Sequence, residues 1–216
     1  MSNNKKLNII LDLDSTLINA VENRDKIKVP SDSGLHYKDW IPFFRIYERP
    51  YLQEFLDYLF DNFNVSVFTA ADKDYALFIV DQFVLNKNPN RKLDFFFFRY
   101  HVELSNKHYK GVKDLRLIWD LFKIYGFYPC NTLIVDDLNL VEKTNPYNTI
   151  PIKAFDILDK NGYYDTTMIN DDSLLTTIEK LKYIKQRFDS TQSSLHGSFS
   201  GCKDNNIPLL KRHDIV

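Results

Sequence analysis

Residues 7–13 read LNIILDL, a near-continuous apolar run that ends in an acid. A strand with one solvated face alternates apolar and polar residues, whereas a strand covered on both faces reads as an unbroken apolar run. The same pattern recurs at residues 65–69 (VSVFT) and 132–135 (TLIV), and a fourth short run follows at 150–152. Between these runs lie segments with helical spacing. One is opened by Pro50 and carries Leu52, Phe55, Leu56, Leu59 and Phe63. Another covers residues 73–83 through Ala76, Ile79, Val80 and Phe83, and a third covers 113–125 through Leu115, Ile118, Leu121, Phe122 and Tyr125, stopped by Gly126. Ser173 looks like the N-cap of a last helix carrying Leu174, Leu175, Ile178, Leu181, Ile184 and Phe188. Buried strands alternating with helices predict an α/β fold with a doubly wound parallel sheet.

Two segments depart from this rhythm. Residues 20–48 are mixed and punctuated by Pro30, Gly34 and Pro42; residues 26–29 and 43–47 could be small strands, so the segment reads as a small β insertion after the first strand. Residues 94–100 (DFFFFRY) are strand-like by aromatic content. The expected organisation is one domain over residues 1–188 and a flexible Ser- and Gly-rich tail over 189–216. Lys and Arg number 28 against 29 Asp and Glu, a net charge of −1, which argues against binding nucleic acid through bulk positive charge. The basic start MSNNKK is followed by an apolar run broken at Asp12, and no stretch approaches the ~20 apolar residues of a membrane helix. A soluble intracellular protein, nuclear or cytoplasmic, with no membrane partner is expected.

In open α/β sheets, ligands bind outside the carboxyl ends of the strands. Three of the apolar runs deliver polar groups there: Asp12 and Asp14, Thr69, and Asp136 with Asp137. Two carboxylates two residues apart can divide the work of phosphoryl transfer. One attacks phosphorus and the other protonates the leaving oxygen. Close acids repel, so a divalent cation or a shared proton is needed. Asp136 and Asp137 could complete a hard oxygen site for magnesium. Thr69 offers a hydroxyl and Lys113 an ammonium to a phosphate, and Lys113 is expected to open its helix.

These strings stand in the order of a known family. ILDLDSTLI resembles the Asp-x-Asp-x-Thr motif of haloacid-dehalogenase-type phosphotransferases; VFTA with Thr69, KDL with Lys113 and IVDD with Asp136 and Asp137 resemble its other three motifs. More narrowly, ERPYLQEFLDYL, FTAADKDYA, FFFR and NPYNTIPI are similar to phosphatases acting on the C-terminal domain (CTD) of RNA polymerase II. The segment KDLRLIWDLFKIYG…NTLIVDD is most similar to the branch that elsewhere carries a ubiquitin-like domain.

The resemblance implies a magnesium-dependent serine/threonine protein phosphatase working through an aspartyl-phosphate, a monomer with a phosphoprotein substrate such as the polymerase tail. It implies that Asp12 is the nucleophile and Asp14 the acid and then the base. Asp12, the backbone carbonyl of Asp14 and Asp137 would hold magnesium, with Asp136 beside them or acting through water. Thr69 and Lys113 would hold phosphoryl oxygens, Arg99 would reach toward the phosphate, and Tyr75 would line a groove for a proline next to the phosphoserine. Two departures stand out. Ser15 replaces a frequent Glu, and the aromatic residue expected a few positions after Asn19 is not evident in AVENRDK, which weakens the case for Ser-Pro specificity. An insertion too short for a large cap favours a protein over a small metabolite. The alternatives are a small-molecule or nucleic-acid phosphate as substrate, or a catalytically silent binding module of the same fold.

Overall fold

The computed structural model describes residues 6–194. Its centre is a five-stranded, wholly parallel sheet with strand order β6-β5-β1-β7-β8. The strands are β1 (Asn8–Leu11), β5 (Asn64–Phe68), β6 (Leu93–Phe97), β7 (Thr132–Asp136) and β8 (Thr149–Pro151). All four apolar runs are therefore strands of one sheet. The fold is the expected doubly wound α/β architecture. The chain leaves β1 toward β5 on one side and returns to β7 on the other, so strand order reverses at β1. A crevice opens at such a reversal because the two flanking connections leave in opposite directions.

The alternation of side chains along β1 builds two cores. Ile9 and Leu11 pack with Phe55, Leu56 and Leu59 of α1 (Leu52–Asn62), with Ala76 and Ile79 of α2 (Lys73–Ile79), and with Leu174, Leu181 and Ile184 of α5 (Ser173–Ser194). Ile10 faces the other way, toward Phe68, Phe97, Leu115, Ile118, Phe127 and Ile134.

The insertion forms a separate antiparallel sheet of order β2-β4-β3, with β2 (Ile18–Glu22), β3 (Tyr37–Trp40) and β4 (Phe44–Glu48). Residues 43–47 thus supply a strand as expected. The segment Lys26–Lys28 is instead a single 3₁₀ turn, one residue of the small third core around Val21, Val29, Tyr47 and Phe155 following it directly.

Other local expectations change for identifiable reasons. Helix α1 begins two residues after Pro50, because Tyr51 takes a left-handed conformation (φ 63°) first. Helix α2 continues past Ile79 as a wider π-helical segment, Val80–Leu85. After β6 the chain turns straight into α3 (Arg99–Tyr109), whose buried residue is Ser105; a polar helix leaves no apolar stripe to read. The helix expected over 113–125 is absent. Only Leu117–Leu121 coils, as one π-helical turn, and Phe122 and Tyr125 are exposed. Helix α4 (Asn139–Thr144) follows β7. Helix α5 continues to Ser194, beyond residue 188; the remainder of the expected tail lies outside the described residues. Among the described residues no helix is long and apolar enough to cross a membrane.

One buried ion pair locks the insertion onto the sheet. Arg49 follows β4 and is 1% exposed. Its Nε donates to Asp171 Oδ1 at 2.8 Å, Nη1 to the Thr16 carbonyl at 2.8 Å, and Nη2 to the Lys153 carbonyl at 2.8 Å. Asp171 in turn accepts from the Ser173 N–H at the start of α5. Burial alone would raise the Asp171 carboxyl, but the Arg49 guanidinium and the Ser173 donors outweigh it and hold it below the ordinary carboxylate range. Removing one partner leaves the other buried and unpaired. Asp171→Asn is therefore expected to lower the unfolding free energy by about 3–5 kcal/mol near neutral pH. Because the folded-state value is depressed, this contribution exists above the unfolded value of about 3.9 and disappears as pH falls through the folded one. Urea unfolding of both proteins at neutral pH and in acid checks this: the gap between them should close in acid.

Candidate functional site

Three chain segments converge at the crevice beside β1. Asp12 leaves β1 directly, its N–H donating to the Val135 carbonyl at 3.1 Å, so the first carboxylate is registered against the end of β7. Asp136 is the last residue of β7 and Asp137 the next. Asp12, Asp136 and Asp137 each offer a carboxylate oxygen within 4.8 Å of the others. Of the three strand ends expected to converge, those of β1 and β7 meet through these carboxylates.

Lys113 lies among these acids, fully buried. Its Nζ is 2.6 Å from Asp12 Oδ1 and 2.7 Å from Asp136 Oδ2. Lys113 does not open a helix. It adopts a left-handed conformation (φ 49°), and side chains rather than helical hydrogen bonds hold its loop. Ser105 Oγ donates to the Gly111 carbonyl at 2.6 Å and accepts from the Asp114 N–H at 2.7 Å. Asn145 Oδ1 accepts from the Leu115 N–H at 3.0 Å, while its Nδ2 donates to the Lys113 carbonyl at 3.1 Å. Asp114 Oδ1 accepts from the Arg116 N–H. Such side-chain partners compete with a helix for the same backbone groups. Gly111 is required here as well, since a Cβ at that position would stand 2.5 Å from Thr144 Cγ2.

The remaining acid is oriented separately. The Asp14 carboxylate accepts a 2.6 Å hydrogen bond from the Tyr75 hydroxyl of α2. The Tyr75 ring is packed edge-on against Trp40 and Phe44 of the insertion sheet. The ring therefore belongs to an aromatic cluster as well as to the site. Thr16, which closes the Asp-x-Asp-x-Thr string, donates from Oγ1 to Asp137 Oδ1 at 3.0 Å.

Thr69 directly follows β5 and is buried; its Oγ1 accepts from the Ala71 N–H at 3.1 Å, and its hydroxyl proton is left to donate elsewhere. Arg99 is half-exposed at the first turn of α3. Its Nη1 pairs with Asp72 at 2.8 Å and its Nε donates to the Ala70 carbonyl at 3.3 Å, so it borders the Thr69 loop rather than the carboxylates.

The electrostatics follow from crowding. Burial raises the Asp14 carboxyl to about 6, with Tyr75 opposing and Asp12 adding. Burial and then the charge of Asp12 also raise Asp136 and Asp137, opposed by Lys113 and Thr16 respectively. Burial disfavours the Lys113 ammonium, but the two carboxylates it touches outweigh that and raise it above its ordinary range. Were all three acids ionised around the one ammonium, the local charge would be about −2, which a divalent cation would cancel. The donors are hard oxygens, the set suited to magnesium, and their spacing is compatible with one small cation between them. Asp12, Asp136 and Asp137 would hold it. Asp14 is not one of this trio, and one oxygen of its carboxylate accepts from Tyr75.

Sequence reasoning gave no role to Thr16, Ser105, Asn145 or Gly111. Thr16 and Asn145 lie inside strings that carried the resemblance, DLDST and NPYN, which was the available signal. Ser105 sits on a helix that the sequence pattern conceals, and nothing in the sequence marked it.

Known proteins with similar sequences and folds indicate the family to which this chain belongs. The pattern of NLI interacting factor-like phosphatases matches residues 7–191. A CTD phosphatase-like protein of Invertebrate iridescent virus 3 is 40% identical over 190 residues, covering 83% of this chain and 97% of that one. Its counterpart in Invertebrate iridescent virus 6 is 41% identical over 148 residues, covering 65% of this chain and 81% of that one. Among solved structures, Fcp1, described as an essential RNA polymerase II CTD phosphatase, superimposes with a TM-score of 0.52 at 19% identity, over 96% of this chain and 58% of that one. Fission yeast Fcp1-R271A bound to beryllium fluoride gives 0.51 at 18%, over 88% and 55%. The chain thus spans a little over half of these solved structures, and at such identity they speak for the fold alone. With the family pattern covering the sheet, the insertion and every carboxylate of the crevice, the chain belongs to the NLI interacting factor-like phosphatase family.

Proposed function

We propose that this chain is a magnesium-dependent phosphatase that removes phosphate from serine or threonine side chains of proteins, through a phosphoenzyme formed on Asp12. The observation that carries this reading is the meeting of Asp12, Asp136 and Asp137 around the Lys113 ammonium. An isolated carboxylate repels a phosphate dianion. Magnesium, when bound, supplies positive charge that lets both anions share the crevice.

In the first step an Asp12 carboxylate oxygen forms a bond to phosphorus as the bond to the ester oxygen breaks. Asp14 gives its proton to that oxygen, and the alcohol departs. In the second step water attacks phosphorus and passes a proton to Asp14. The bond to Asp12 breaks, and inorganic phosphate leaves with both side chains restored. Lys113 and the Thr69 hydroxyl would steady the equatorial oxygens. Arg99 would reach the phosphate by exchanging its contact with Asp72.

A peptide substrate is favoured by the lid. Between β1 and α1 the chain spends its residues on one small antiparallel sheet, so a phosphorylated loop can enter from the open side. The viral relatives are named CTD phosphatase-like and Fcp1 an RNA polymerase II CTD phosphatase, and a phosphoserine repeat of that tail is the proposed substrate.

Asp12→Asn is expected to reduce turnover of a phosphoserine peptide at least ~10³-fold while the fold persists. Acid quenching with radiolabelled substrate should leave hydroxylamine-labile label on the wild-type protein and none on the variant. Turnover retained in Asp12→Asn rejects the nucleophile assignment. Chelation should abolish turnover, and magnesium should restore it. Magnesium alone should also raise the unfolding midpoint in a concentration-dependent way, since binding to the folded state alone stabilises it. No midpoint shift in the wild type, measured by calorimetry, rejects the metal site.

A further inference from the structure

Asp14 takes part in the proposed chemistry through a carboxyl group that must present one particular oxygen to the ester. A carboxyl on a short side chain rotates freely unless something holds it, and misplacement of a proton donor by about 1 Å costs orders of magnitude in rate. Among the described residues one group donates to this carboxyl, the Tyr75 hydroxyl, at 2.6 Å from Oδ1. That bond takes up Oδ1 with a donor, so Oδ2 is the oxygen left to carry a transferable proton.

Tyr75 is itself held from the far side. Its ring lies 6.2 Å from Trp40 at an interplanar angle of 88° and 5.9 Å from Phe44 at 65°. Trp40 is the last residue of β3 and Phe44, its cross-strand partner, the first of β4, so both strands of this hairpin press on one ring from the turn end. Phe78, one turn further along the same chain direction, lies 4.7 Å from Trp40 and extends the cluster. Edge-on aromatic contacts fix ring orientation. The hydroxyl is thus placed by the insertion, although it acts on a residue that follows β1.

We propose that Tyr75 is a positioning residue for Asp14, through which the insertion sheet aims the proton-donating oxygen at the leaving group. This role rests on the Asp14 assignment above and adds to it a second use for the insertion besides framing the entrance. It makes the contact matter most for esters whose leaving oxygen needs a proton. An alkyl ester such as phosphoserine expels a strongly basic alkoxide unless protonated, whereas a nitrophenyl ester expels a stable anion unaided.

The test is a leaving-group series on the full chain with magnesium: aryl phosphates from dinitrophenyl to phenyl, then a phosphoserine peptide. The quantity read is the slope of log kcat/KM against leaving-group pKa, which reports the first step. Tyr75→Phe keeps the ring and removes the hydroxyl. It is expected to lower kcat/KM on the peptide about 10-fold or more and to steepen the slope. Asp14→Asn, which abolishes the donor outright, should steepen it further. Unfolding midpoints of both variants separate loss of fold from loss of aim. A uniform fall across the series in Tyr75→Phe, or none, overturns the positioning role while leaving Asp14 as the acid, provided Asp14→Asn still steepens the slope. A slope unchanged in both variants removes the acid assignment and this role with it. Trp40→Ala gives a second route: it leaves the hydroxyl but frees the ring, and it should steepen the slope in the same direction.

Discussion

A single lysine ammonium, buried between the carboxylates of Asp12 and Asp136, is the contact on which the crevice depends. Without it, the end of β1 and the end of β7 would bring acids together with no positive charge between them. Removing a buried partner from such a set costs several kcal/mol. With it, the acids coexist but remain under-compensated, and burial pushes Asp14, Asp136 and Asp137 toward protonation. A centre that is stable yet short of positive charge is what a divalent cation and a phosphate ester require.

The loop that supplies this lysine shows how the fold meets the demand. A helix from residue 113 would have satisfied the apolar spacing of Leu115 and Ile118, and both are indeed buried. Yet the ammonium must reach the sheet edge from a chain that also has to pass between α3 and β7. Ser105 and Asn145 take over the hydrogen bonds a helix would have made, and Gly111 permits the close approach to Thr144. Local propensity yields to one electrostatic contact because that contact is buried and cannot be exchanged for water.

The insertion plays a comparable double part. It carries Arg49 into a buried pair with Asp171, tying the start of α5 to the loop after β1. Through Trp40 and Phe44 it also confines the Tyr75 ring next to Asp14. A small antiparallel sheet therefore reaches the Asp14 carboxylate through one ring.

Strand-forming runs were legible from residues alone, because a strand buried on both faces needs uninterrupted apolar side chains and such runs are short and sharply bounded. The acids and the threonine that follow them were equally legible: residues adjacent in sequence to a strand end must sit at the sheet edge, whereas the order of the strands in the sheet came from the fold. The polar helix α3, the absence of a helix at Lys113 and the partners of Thr16 and Asp14 were decided by the tertiary structure. Each depends on groups far apart along the chain, such as Tyr75 with Asp14 or Asn145 with Lys113, and no local pattern encodes a distance between them. Periodicity reports which faces are buried; only folding decides which charged and hydrogen-bonding groups meet once they are.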